Sequence, residues 1–271
     1  MPQADSSSSA VKSSGNIVLQ ATGANDGWRE SILVLLIVLA PIGLAVIIMA
    51  IGLSGRTAWQ IARGVSLELP TPANIRLYGM LSYAVGSWIA VVLAWLWSSR
   101  RRLGPDVFVF RRLTWPALTG SIVGFVIAMY GVPVVTQSVS HVTGGPSHGV
   151  RIDFHDAQSI TIFVFLFVVT APVCEEILYR GLLVTWLRRI GWDDSAVLLV
   201  GSLIFGANHL IPLGFVWSAA MGGFGVILFG LRLRYESLSP GWLTHVLFNA
   251  QPFLTYPLIA RMAPAALPGR L

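Results

Sequence analysis

Long runs of apolar residues constrain the fold of this chain more than any other feature. A transmembrane α-helix needs about 20 mainly apolar residues, and runs near that length recur between residues 32 and 259. Hydrophobic residues make up 55% of the 271 residues and charged residues 11%, whereas a soluble globular protein carries about 25% charged residues. The sequence therefore predicts an all-α, polytopic transmembrane helix bundle and excludes a soluble fold.

We predict about seven membrane segments, within a range of six to eight. They lie at residues 32–53, 77–97, 115–139, 159–188, 195–210, 215–231 and 242–259. The fifth is short, because a helix rises 1.5 Å per residue and this one would span only about 24 Å. That length falls short of a full crossing.

The chain divides into four parts by composition. Residues 1–27 are rich in Ser, Ala and Gly and are typical of a disordered tail. Residues 28–158 hold N-terminal membrane helices and polar loops, residues 159–260 hold a helix core with unusual polar residues, and residues 261–271 form a C-terminal tail.

The charge pattern indicates a membrane partner. The net charge is +6, but the arginines are grouped at the ends of apolar segments, as the positive-inside rule leads one to expect. We therefore expect the lipid bilayer as a partner and no nucleic acid. We also expect a multi-pass integral protein of the cell membrane.

Two adjacent glutamates and an arginine interrupt the apolar run 159–188. A charged side chain in a bilayer costs at least a few kcal/mol, about 2.5–3.5 at a helix centre, so it is usually kept for a function. Glu176 and Arg180 are four residues apart and can pair on one helix face. Glu175 points about 100° away from Glu176 and has no obvious partner in this segment. Burial disfavours the ionised form of such a carboxylate, which suits it to general-base work.

Two later segments supply further polar residues. His209 ends one apolar segment in the sequence Phe205-Gly206-Ala207-Asn208-His209. His245 and Asn249 lie one helical turn apart near the start of another. We expect Glu175, His209, His245 and Asn249 to form one polar site in an otherwise apolar half of the protein.

The order Glu-Glu-x-x-x-Arg, Phe-x-x-x-His and His-x-x-x-Asn resembles that of the CPBP family, also called the ABI family. This family comprises type II CAAX prenyl proteases and bacteriocin-processing enzymes, and the resemblance covers about residues 159–258. It implies a glutamate-dependent intramembrane endopeptidase without a metal cofactor. In it Glu175, His209 and His245 would be catalytic and Asn249 would assist, with Glu176 and Arg180 supporting the site.

The same residues suit peptide hydrolysis on chemical grounds. Glu175 can deprotonate a water that His209 orients. His245 and Asn249 can donate hydrogen bonds to the developing oxyanion, which contribute about 3–4 kcal/mol per donor. The expected partner is a protein or peptide substrate, lipidated or not; relatives from eukaryotes act on prenylated C-terminal tripeptides.

Alternatives remain for the chemistry. Glu175, His209 and His245 form a common catalytic zinc set, although the His-Glu-x-x-His signature is absent. Cys174 is a conceivable nucleophile, but a buried cysteine usually packs as a small apolar residue. The loop 140–156 has two interpretations, a surface metal site and an ordinary solvated loop. Its candidate ligands are His141, His148, Asp153, His155 and Asp156.

Alternatives remain for the function as well. The polar residues could tie helices together by hydrogen bonds, in a non-catalytic membrane scaffold or a bacteriocin-immunity-type protein. A transporter is disfavoured because the polar residues are confined to the C-terminal half.

Overall fold

The computed structural model describes residues 24–146, 154 and 156–262. In these residues the chain is all-helical, as predicted. Its helices are α1 (Ala24–Ala62), α2 (Pro72–Arg100), α3 (Gly104–Val107), α4 (Trp115–Thr143), α5 (Ala157–Arg189), α6 (Asp194–Asn208), α7 (Leu210–Tyr235) and α8 (Ser239–Met262). Residues 1–23 of the predicted N-terminal tail and residues 263–271 of the C-terminal tail lie outside the described residues.

Side-chain caps explain where several helices begin. Thr71 and Thr114 accept hydrogen bonds from the backbone of the first turns of α2 and α4, at 3.2 and 3.4 Å. Asp156 and Asp193 do the same for α5 and α6, at distances from 2.9 to 3.1 Å. Each cap satisfies backbone N–H groups that the first turn of a helix leaves free.

Five helices of the described chain are long and apolar enough to cross a membrane. They are Gly27–Ala62, Asn74–Arg100, Trp115–Thr143, Ala157–Arg189 and Leu210–Tyr235. Large apolar side chains on them are exposed, for example Leu36 and Ile51 on α1, which suits contact with lipid. The protein is therefore a multi-pass membrane protein.

The predicted number of seven segments is not reached among the described helices. Helix α6 has only 15 residues, or about 22 Å at 1.5 Å per residue, which is less than the hydrocarbon thickness of about 30 Å. Helix α8 has 24 residues but carries several polar side chains, including His245, Asn249 and Gln251. Helix α1 extends past the predicted residue 53 to Ala62 and runs through Pro41.

Helix α5 lies at the centre of the bundle. It packs against α1, α2, α3, α6, α7 and α8, and its Leu178 and Leu182 are fully buried. The close approach of α3 depends on Gly181, where a Cβ atom would overlap the carbonyl oxygen of Val107. Every partner helix can therefore present side chains to α5.

Helix α5 is irregular along its length. Residues Val164–Thr170 and Glu176–Leu183 have π-helical hydrogen bonding, and the α-helical turn Ala171–Glu175 separates them. π-Helical turns are rare and frequently occur at functional sites. In the first, the Ala171 N–H bonds to the Leu166 carbonyl, five residues back. The next donor in that register would belong to Pro172, which has no N–H, so the Phe167 carbonyl lacks a partner within the helix.

Candidate active site

Glu175 and Glu176 lie at the junction between the central α-helical turn of α5 and its second π-helical segment. Their exposed fractions are only 5% and 0%. Adjacent residues on a helix point in different directions, and the two carboxylates accordingly contact different helices. The junction thus directs one carboxylate towards α2 and the other towards Arg180, with α8 contacting both.

Glu176 binds two cationic or potentially cationic groups. Its Oε1 atom lies 3.2 Å from Nδ1 of His245 and 3.4 Å from Nη1 of Arg180. The predicted pairing of Glu176 with Arg180 is confirmed. A carboxylate can only accept a hydrogen bond, so Nδ1 of His245 carries a proton and donates the hydrogen bond to Glu176.

Arg180 is fully buried. Its guanidinium carbon lies 4.1 Å from the ring centroid of Phe205 and 4.5 Å from that of Phe229. Its guanidinium nitrogens have no hydrogen-bond partner among the described residues. The carboxylate of Glu176 and the two aromatic faces together compensate its charge.

Glu175 has one bound and one free carboxylate oxygen. The hydroxyl group of Tyr83, on α2, donates a hydrogen bond to Oε1 at 3.1 Å. Oε2 lies 3.9 Å from Nε2 of His245, which is beyond hydrogen-bond range. Within the described chain Oε2 has no hydrogen-bond partner, and a buried acceptor of this kind needs an explanation.

His245 therefore lies between the two glutamates. Nδ1 donates to Glu176, while Nε2 faces Oε2 of Glu175. The imidazole also makes an edge contact with the ring of Phe224, at 5.4 Å between centroids. The sequence predicted that His245 would meet Glu175; its hydrogen bond to Glu176 was not predicted.

His209 follows the last residue of α6 and is half-buried. Its Nδ1 atom lies 2.8 Å from the Phe205 carbonyl oxygen, so Nδ1 carries the proton and Nε2 is unprotonated in the neutral ring. The Phe205 ring contacts both histidines, with centroid distances of 4.8 Å to His209 and 6.4 Å to His245. Among the described residues no hydrogen bond or ion pair joins His209 to Glu175.

Asn249 lies one turn after His245 on α8. Its Nδ2 atom donates a hydrogen bond to the Phe167 carbonyl at 2.7 Å. This is the carbonyl that Pro172 leaves without a helical partner. The Asn249 amide nitrogen is thus bonded to the backbone of α5 rather than to Glu175 or His245.

The alternative zinc set is not assembled as a ligand cluster. Among the residues that the structure describes, no group of three or more His, Cys, Asp or Glu side chains could hold a metal ion. Glu175 and His245 face each other, but His209 turns Nδ1 to the Phe205 carbonyl and does not join them. The described residues therefore do not bring the alternative set of Glu175, His209 and His245 together as zinc ligands.

The loop metal site is described only in part. Among its candidate ligands, His148, Asp153 and His155 lie outside the described residues. His141 belongs to the last turn of α4. Both carboxylate oxygens of Asp156 accept hydrogen bonds from the first turn of α5, from Gln158 and Ser159.

Three residues near the glutamates were missed by the sequence analysis. Tyr83 lies on a helix with no motif, so no sequence signal pointed to it. A Cβ atom on Gly241 would lie 2.7 Å from Oε2 of Glu176, so this glycine leaves room for the carboxylate. The hydroxyl group of Tyr179 is buried without a hydrogen-bond partner in the described chain; its position four residues after Glu175 could have indicated it.

Comparison with known protein families identifies a match in the C-terminal half of the chain. Residues 157–251 match the family model described as type II CAAX prenyl endopeptidase Rce1-like. No curated protein and no solved structure matches the chain. The matched residues run from the start of α5 into α8, and they include Glu175, His209, His245 and Asn249 but not Tyr83.

Proposed function

Because residues 157–251 match the model of the Rce1-like type II CAAX prenyl endopeptidase family, we propose that this protein is an intramembrane endopeptidase in which Glu175 activates a water. The observation that carries the proposal is the state of the Glu175 carboxylate. It is buried, its Oε1 is held by Tyr83, and its Oε2 has no hydrogen-bond partner among the described residues. A general base needs such an oxygen within reach of a reacting water.

Charge balance assigns a role to His245. Glu175 and Glu176 carry two negative charges in a buried site, and Arg180 supplies one positive charge. His245 lies beside both carboxylates and can supply a second positive charge when its ring is protonated. Its Nε2–H group can then donate to the oxygen that becomes negative during the reaction.

The proposed reaction is a direct hydrolysis. Oε2 of Glu175 takes a proton from water while the water oxygen attacks the peptide carbonyl carbon. The Nε2–H group of His245 donates to the resulting oxyanion. The proton held by Glu175 passes to the leaving nitrogen as the C–N bond breaks, which yields a carboxylic acid and an amine; proton exchange between these two products gives a carboxylate and an ammonium group.

His209 and Asn249 assist in this proposal. With Nδ1 bonded to the Phe205 carbonyl, neutral His209 has an unprotonated Nε2 that can accept a hydrogen bond from water. Asn249 lies one turn from His245 and would serve as a second oxyanion donor. Its Nδ2 would have to exchange the bond to the Phe167 carbonyl for one to the substrate.

The proposed substrate is a protein or peptide that reaches the site from the bilayer. The family description supports a prenylated C-terminal peptide. A panel of lipidated and unlipidated peptides tests whether the lipid is required.

A non-catalytic scaffold is the second candidate. The hydrogen bond from Asn249 on α8 to the Phe167 carbonyl on α5 favours it, because such bonds tie helices together. A scaffold does not explain why a buried carboxylate oxygen of Glu175 is left without a hydrogen-bond partner.

The test uses the protein purified in detergent, the peptide panel and the Glu175→Ala variant, each with and without a chelator. Cleavage that is lost in the variant and unaffected by chelation is the expected result. Loss on chelation that zinc restores would replace the proposal with a metalloprotease. If no peptide is cut and Glu175→Ala leaves the cellular phenotype unchanged, the scaffold takes the place of the protease.

A further inference from the structure

Helix α2 contributes a side chain to the candidate site, although it lies outside the family match. The hydroxyl group of Tyr83 donates to Oε1 of Glu175 across 92 positions of sequence. Among the described residues, Tyr83 alone forms a hydrogen bond with the Glu175 side chain.

This hydrogen bond makes the two carboxylate oxygens of Glu175 unequal. Oε1 is engaged by the phenol, whereas Oε2 faces Nε2 of His245 at 3.9 Å and has no hydrogen-bond partner in the described chain. Rotation about the last bond of a glutamate side chain is soft and roughly two-fold. A donor on one oxygen is therefore needed to keep the other directed towards His245.

The position of Tyr83 is held by the packing of α2. Helix α2 contacts α1, α3 and several parts of α5, and Gly86 lets it approach α1, since a Cβ atom there would lie 2.9 Å from the Pro41 carbonyl oxygen. The carbonyl of Tyr83 accepts a further hydrogen bond from Ser87 at 2.7 Å. The phenol is therefore presented by a packed helix.

We propose that Tyr83 is a positioning residue, which fixes the Glu175 carboxylate so that Oε2 is the oxygen that takes the proton from water. This inference rests on the proposed function. It makes the N-terminal helices part of the active site, where the matched domain alone would lack the donor.

The test compares Tyr83→Phe with Tyr78→Phe. Tyr78 lies on the same helix and lines a cavity between α1 and α2 that Glu175 does not line, so it is a matched control. Loss of a hydrogen bond to a charged group and of the orientation it gives should lower kcat of Tyr83→Phe about 10- to 100-fold. KM should stay unchanged, and Tyr78→Phe should match the wild type in both constants.

A merely structural role gives a different result. Tyr83→Phe would then lower the yield of folded protein and its unfolding temperature, while kcat per folded molecule would equal that of the wild type. That result would overturn the inference and leave the proposed function intact, provided that Glu175→Ala is inactive in the same assay. Full activity of Glu175→Ala would instead overturn the proposed function.

A second measurement does not depend on activity. The unfolding temperatures of Tyr83→Phe, Glu175→Ala and the double variant form a cycle. If the contact exists, the double variant loses less than the sum of the two single losses, which supports the hydrogen bond on which the inference depends. Additive losses would show that the two side chains do not interact and would overturn it.

Discussion

Oε1 of Glu176 lies 3.2 Å from Nδ1 of His245, so the second glutamate of the pair holds the histidine that faces the first. The same oxygen lies 3.4 Å from Nη1 of Arg180. Glu176 thus fixes the ring orientation of His245 and compensates a fully buried guanidinium. Glu175 has neither of these two roles.

The first prediction concerns the charge of Glu176. Glu176→Gln preserves the size of the side chain but leaves Arg180 without its buried counter-ion. Removing one partner of a buried ion pair lowers the free energy of unfolding by about 3–5 kcal/mol, so the unfolding temperature in detergent should fall markedly. The measurement is thermal unfolding of the purified variant beside the wild type.

The double variant Glu176→Gln/Arg180→Met is the control for this prediction. It removes both charges, and replacing a buried pair with apolar groups is often close to neutral. The double variant should therefore be more stable than Glu176→Gln alone. A double variant no more stable than the single one would contradict the pairing.

The second prediction concerns the space beside Glu176. Gly241→Ala places a methyl group 2.7 Å from Oε2 of Glu176, so the carboxylate must move while His245 and Arg180 hold its other oxygen. Displacing the His245 partner should lower kcat about 10- to 100-fold. Peptide cleavage rates measure the effect.

Gly223→Ala is the matched control, since a Cβ atom there meets nothing within 4 Å. Both substitutions replace a helical glycine with alanine, which by itself favours the helix by about 1 kcal/mol. Gly223→Ala should keep wild-type activity. Equal activities of the two variants would show that Gly241 has no effect on Glu176.

The third prediction concerns Asn249 and the irregular part of α5. Asn249→Ala leaves the Phe167 carbonyl, which is partly buried, without its 2.7 Å donor, and an unsatisfied acceptor costs up to about 1–3 kcal/mol when fully buried. In the Pro172→Ala background, residue 172 has an N–H group in register for the Phe167 carbonyl. Asn249→Ala should therefore cost less stability in that background. Thermal unfolding of the wild type, Asn249→Ala, Pro172→Ala and the double variant measures the difference.

Activity measured on the same four proteins separates the two roles of Asn249. If Asn249 serves only as an oxyanion donor, Asn249→Ala loses cleavage at unchanged stability in both backgrounds. That pattern would contradict the backbone bond as a structural support.

Much of this arrangement could be predicted from the sequence, because its signals are local. The apolar runs indicate the all-α bundle, and the pairing of Glu176 with Arg180 follows from helical spacing. The place of His245 beside Glu175 follows from the order of the motifs, because the family resemblance implies that both residues belong to one site.

Other features could not be predicted, because they depend on packing between distant helices. The apolar run 159–188 predicts one long helix, but nothing in its residue pattern indicates the π-helical hydrogen bonding of Val164–Thr170 and Glu176–Leu183. Tyr83 reaches Glu175 only because α2 packs on α5, and no motif marks α2. The count of seven segments is not shown: among the described residues five helices are long and apolar enough to cross a membrane, while α6 is short and α8 carries polar side chains.

The measurement that tests the central claim most directly compares two neighbouring residues, Glu175 and Cys174. Glu175→Gln keeps the shape of the side chain but cannot accept the water proton, and Cys174→Ala removes the thiol of a fully buried residue. General-base catalysis contributes about 10²- to 10⁴-fold. We predict that Glu175→Gln loses at least about 100-fold in kcat on a cleaved peptide, while Cys174→Ala keeps wild-type activity. Retained cleavage by Glu175→Gln, with loss in Cys174→Ala, would contradict the account and assign the chemistry to the cysteine.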